Sequence, residues 1–148
     1  GELEVQIQSW HREHEASKNL AQIPGIGPIT ASALVASIED AKSFENGGQL
    51  AAWLGLVPRQ HANGGKQVLL GISKRGDTYL RTLLIHGARA VIRVAERKVG
   101  YAESWLARLM GRRNQNVAAV ALANKNDRTV WALLAHGRDY EADYGMAV

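Results

Sequence analysis

A mainly α-helical domain is what this 148-residue sequence predicts. Apolar residues recur at three- and four-residue spacing over most of the chain. Prolines and paired glycines fall mainly between those periodic stretches. A single internal segment, residues 56–74, lacks a helical period. Leu3, Ile7 and Trp10 place a first helix over residues 2–20, which reads either as the end of a coiled-coil or linker helix or as a self-contained amphipathic helix. Ile23-Pro24-Gly25-Ile26-Gly27 ends it. Pro28 suits the first turn of the next helix, which continues through Ala31, Leu34, Val35 and Ile38. A short helix over 47–55 carries Leu50, Ala51 and Leu54. His61-Ala62-Asn63-Gly64-Gly65, between short apolar stretches, reads as the turn of a small β-hairpin or an ordered loop, because Asn and Gly accept positive φ. Asp77 is placed to cap a helix reaching about residue 98, whose apolar face gathers Leu80, Leu83, Leu84, Gly87, Val91, Val94 and Ala95. Helices over about 101–111 and 114–136 follow. The polar tail from Gly137 reads as frayed.

Composition narrows the function. Hydrophobic residues are 46% and charged residues 22%, a globular balance. No cysteine is present, which removes disulfides, thiol nucleophiles and Cys-ligated metal sites. No apolar run approaches the roughly 18 residues of a membrane span, and no signal peptide stands at the start. The chain opens on Gly1 rather than Met, as a piece of a longer protein would. The net charge of +4 conceals a division. Residues 1–57 hold seven acids and three bases, a net −4. Residues 58–113 hold twelve bases against Asp77, Glu96 and Glu103, a net +9. Residues 114–148 are at −1. A basic middle third of that strength points to a polyanion, most simply nucleic acid; a solvated surface kept for solubility is the plainer reading.

Three places carry residues for such a partner. Gly25 and Gly27 fit the turn of a helix-hairpin-helix, which offers backbone N–H groups to a phosphate; a tight helix–helix turn that binds nothing needs the same glycines. On the helix after Asp77, Arg89, Arg93 and Arg97 fall at about 180°, 220° and 260° from Leu80, with His86 among them, on the side away from the apolar face. Such a row suits bidentate phosphate contacts, and an ordinary solvated helix face is its alternative. Gly71-Ile72-Ser73-Lys74-Arg75-Gly76-Asp77 brings a hydroxyl and two cations to a helix start, without the spacing of a Walker loop. Metal-ligand spacing is weak: His11 and His14 are three apart, and the other histidines are scattered. The four tryptophans read as core anchors.

Several blocks occur in a fixed order: Ile23-Pro24-Gly25-Ile26-Gly27, Gln49 to Arg59, Gly64-Gly65-Lys66, Ile72-Ser73-Lys74-Arg75-Gly76-Asp77, and Leu80-Arg81. Together they resemble the C-terminal domain of transposases of the insertion-sequence 110/116/902 family, strongly over residues 20–98. The resemblance implies that residues 1–20 end a coiled coil, that 21–140 form a catalytic and DNA-binding domain, and that 141–148 are a tail. It implies a parent recombinase in the prokaryotic cytoplasm, associated with DNA and guided by a structured RNA. That parent would act as a dimer or tetramer. A separate N-terminal domain would hold a divalent metal, magnesium, on an acidic tetrad, with no cofactor in this domain. The family's C-terminal domain supplies a serine that attacks the phosphodiester.

This sequence departs from the family at that serine. Five residues on from Pro58 stands Asn63, before Gly64, and Ala62 precedes it. Neither a carboxamide nor a methyl group is a phosphoryl nucleophile. A degenerate copy, a deliberate removal or a loop register shifted by one residue would account for this, and Asn63 also suits the turn with no chemistry at all. Ser73 is the nearest alternative hydroxyl. The phosphate-binding set implied is Arg59, Lys66, Ser73, Lys74, Arg75, Arg81, Arg89 and Arg93, with Gly25 and Gly27. The chain alone is expected not to cut DNA, and a covalent protein–DNA adduct would contradict this. A non-catalytic helix-hairpin-helix module contacting DNA through Gly25 and Gly27, and a subunit-interaction domain, are the alternative functions.

Overall fold

A computed structural model describes residues 1–38, 40–56 and 74–141, with the backbone alone for 7–11 and 74–77. The described residues are helical, with no strand among them. Six α-helices run in order: α1 (Glu2–Leu20), α2 (Pro28–Ser37), α3 (Gly47–Trp53), α4 (Lys74–Val94), α5 (Trp105–Met110) and α6 (Gln115–His136). Short 3-10 turns lie at Ala41–Ser43, Ala95–Arg97 and Tyr101–Glu103. The hairpin or ordered loop expected over 56–74 falls almost wholly on residues 57–73, outside the described ones.

Local chemistry sets the helix ends. Gly27 is the N-cap of α2 and Pro28 its first residue, where a missing N–H costs nothing. Asn46, Ser104 and Asn114 cap α3, α5 and α6 by accepting from Gln49, Ala107 and Val117 backbone N–H groups at 2.9–3.0 Å. α6 stops at Gly137, whose φ of 61° closes the last turn while Arg138 N–H donates to the Leu133 carbonyl at 3.0 Å. Some boundaries differ from the sequence expectation: α5 begins at Trp105 rather than about 101, and α4 ends at Val94 rather than about 98. α4 begins at Lys74, so Asp77 lies inside the helix rather than capping it.

α6 is the hub. It packs chiefly on α4 and α3, with α5 and α1 beside it, while α1 lies on α2 and α2 on α4. Its buried face is rich in small residues, Ala118, Ala119, Ala123 and Ala135, around Leu122, Val130 and Leu133. On α4 the buried row is Leu80, Leu84, Ala88 and Ile92, continued by Ala95 in the 3-10 turn that follows. That row is centred about 60° from the expected apolar face on a helical wheel, and Val94 is exposed. Two helices, α2 and α6, cover α4, which widens and shifts its buried arc.

Trp131 donates from Nε1 to the Ala41 and Phe44 carbonyls at 2.9 and 3.2 Å, which fastens the loop before α3 onto α6. Trp53 and Trp105 also pack against the core. The expectation of a frayed segment after Gly137 is corrected for its first residues. Asn19 Nδ2 donates to the Arg138 carbonyl at 2.8 Å, and its Oδ1 accepts the Tyr140 N–H at 2.6 Å. One amide of α1 thereby ties residues 138–140 back onto the domain. The other end of α1 stands outside the core: Leu3 and Val5 are exposed.

Candidate nucleic-acid interface

The glycine-rich turn between α1 and α2 is keyed into the domain. Gly25 has a φ of 99°, which L side chains rarely adopt. A methyl group there would stand 2.9 Å from Asn126 Nδ2 and 3.4 Å from Val91 Cγ2. At Gly87 a methyl group would overlap the Gly25 carbonyl. Asn126 Nδ2 donates to the Pro24 carbonyl at 2.9 Å. The need for glycine at 25 thus follows from backbone conformation and from close approach to α4 and α6. Gly27 is different: it is exposed, and nothing lies within 4 Å of the position of an added Cβ. Pro24 borders an apolar groove of about 490 Å³ whose lining also includes Lys98 and Glu103.

The basic row on α4 is where the sequence places it. His86, Arg89, Arg93 and Arg97 are all exposed, with Arg97 in the 3-10 turn that continues α4. Among the described residues no carboxylate pairs with Arg89, Arg93 or Arg97. Arg89 Nη2 donates to Asn116 Oδ1 at 3.2 Å. A cleft of about 120 Å³ opens there, lined by Arg89, Ile92, Arg93, Gln115 and Asn116. Gln115 and Asn116 are the first two residues of α6, and Arg112 and Arg113 are exposed just before it. Side chains of α4 and of the start of α6 therefore meet at this cleft.

The remaining site residues divide by place. Arg81 is half-buried, and its guanidinium lies against Gly55, where an added Cβ would come within 2.8 Å of Nη1. It is apart from the α4 row. Lys74 and Arg75 form the first turn of α4. Arg59, Asn63, Lys66 and Ser73 lie outside the described residues. Among the described residues no three His, Asp or Glu stand together to hold a metal. No helix among them is long and apolar enough to cross a membrane.

Sequence reasoning missed Arg112, Arg113, Gln115 and Asn116, because a polar run between two helices reads as a linker. The signal available was Asn114, three residues before Val117 at a helix start. It also missed Asp127, which is fully buried with neither carboxylate oxygen hydrogen-bonded.

Residues 17–102 match the family described as "Transposase IS116/IS110/IS902 family". A "Probable family 20 transposase" of Pseudomonas aeruginosa is 58% identical over 138 residues, covering 93% of this chain and 41% of that protein. A "Transposase for insertion sequence element IS1111A" of Coxiella burnetii is 47% identical over 140 residues, 95% of this chain and 38% of its own length. A "Transposase for insertion sequence element IS1328" of Yersinia enterocolitica is 40% identical over 136 residues, 92% and 41% respectively. The chain spans about two fifths of the length of these relatives. No solved structure matches it.

Proposed function

The chain belongs to the IS116/IS110/IS902 transposase family, and from that premise we propose that it is the DNA-binding, C-terminal part of a transposase. The observation that carries the reading is the row of exposed arginines on α4, unpaired with any carboxylate among the described residues. Arginine forks of this kind hold phosphate oxygens in pairs and stabilise charge that grows on a phosphoryl group. By the family resemblance, related transposases use a serine of this part to attack the phosphodiester and displace a sugar hydroxyl. The residue at the corresponding place here is Asn63, so this chain by itself does not cut. The parent works as a dimer or tetramer with a guide RNA and draws its metal from the acidic tetrad of another domain.

The helix-hairpin-helix alternative places the phosphate at Gly25 and Gly27. Gly25 is already engaged with Asn126, Val91 and Gly87, which favours the α4 row. Charge reversal separates the two. Arg89→Glu with Arg93→Glu should weaken binding to a short DNA duplex at least tenfold and lower the salt slope by about two. Fluorescence anisotropy over a salt series reads both quantities. Unchanged affinity and slope would overturn the assignment.

A further inference from the structure

We propose that the cleft between α4 and the start of α6 is a seat for one backbone phosphate of a nucleic acid, held jointly by Arg89, Arg93, Gln115 and Asn116. The inference rests on the reading of the α4 row as a phosphate-binding face, and adds a second element to it. Arg89 and Arg93 stand one turn apart and line the same cleft. The Asn116 carboxamide accepts from Arg89 Nη2 at 3.2 Å. It holds that guanidinium at the cleft with its other N–H groups available, so less freedom is lost when an anion arrives. The lining carries two guanidiniums, two carboxamides and one buried aliphatic side chain, Ile92, and no acid. A volume of about 120 Å³ has room for a phosphate group. Arg112 and Arg113 add charge beside it. A contact of this kind fixes the position of the polymer and carries no base sequence.

The test places one negative charge in the cleft. Asn116→Asp keeps the side chain's shape, leaves the Asn114 cap intact, and puts an acid in a first helical turn, where it is tolerated. Gln22→Glu is the control. Gln22 is exposed and shares a depression with Leu133 and Gly137 at the far end of α6, about 30 Å away along a helix of this length. Binding is measured over a salt series to a DNA duplex and, separately, an RNA duplex of the same sequence. N116D should weaken binding about tenfold and lower the salt slope by about one in at least one arm, while Q22E stays within about twofold. The arm that responds identifies the polymer seated there. If N116D matches Q22E in both arms while R89E/R93E weakens binding, the shared cleft is overturned and the α4 reading stands. If R89E/R93E also has no effect, both fall. Should circular dichroism show N116D unfolded, Gln115→Glu is read against the same outcomes.

Discussion

Asp127 has no exposed surface, and neither of its oxygens accepts a hydrogen bond. Burial pushes its carboxyl well above the usual aspartate range, and the neighbouring Arg128 opposes this less strongly. The fold therefore holds the neutral acid, since an unpaired buried carboxylate is costly. The consequence for stability has a definite sign. Above about pH 4 the unfolded chain releases a proton that the folded domain keeps. Stability from this group is fully present below that pH and is lost as pH rises through the raised folded value. Urea midpoints measured from pH 4 to pH 8 should fall more steeply for the parent chain than for Asp127→Asn. Equal slopes would mean that the carboxyl is ionised or hydrated in the folded state. Nothing in the sequence marks Asp127, because an aspartate beside an arginine on a helix reads as surface.

At the scale of elements, the glycine-rich turn, α4 and α6 meet where Gly87 admits the Gly25 carbonyl and Asn126 holds the Pro24 carbonyl. Gly87→Ala forces that crossing apart and should cost about 1–3 kcal/mol, read as a lower urea midpoint. An unchanged midpoint would show that the glycine-rich turn is not keyed to α4. Most of this architecture was legible beforehand. Pro28 after Gly27, the glycine at 137 and the periodic runs place α1, α2 and α6 within a residue or two of their observed ends, while α5 starts four residues later than expected. The register of α4 was not legible, because its leucines outweigh Ala88 and Ile92 in a sequence pattern, yet packing against both α2 and α6 buries the latter two. The exposed arginines were legible, since they lie outside even the shifted buried arc. Their partner Asn116 was not, because its role depends on a contact 27 residues distant in sequence.

For the whole molecule, the segmental charge acquires a location. The +9 of residues 58–113 includes Arg89, Arg93 and Arg97 along α4 and Arg112 and Arg113 before α6. The acidic first third supplies α1, the keyed glycine-rich turn and α2. Family membership makes DNA the polyanion to test against this distribution. The division also separates the two possible interfaces, the α4 row and the glycine-rich turn, onto different elements. Residue-resolved NMR of the chain, titrated with a short DNA duplex, tests that division most directly. The account predicts that perturbed backbone amides cluster over residues 86–97 and 112–117, with Gly27 and Ile29 little changed. Perturbation confined to residues 24–30, with the α4 row unmoved, would contradict it.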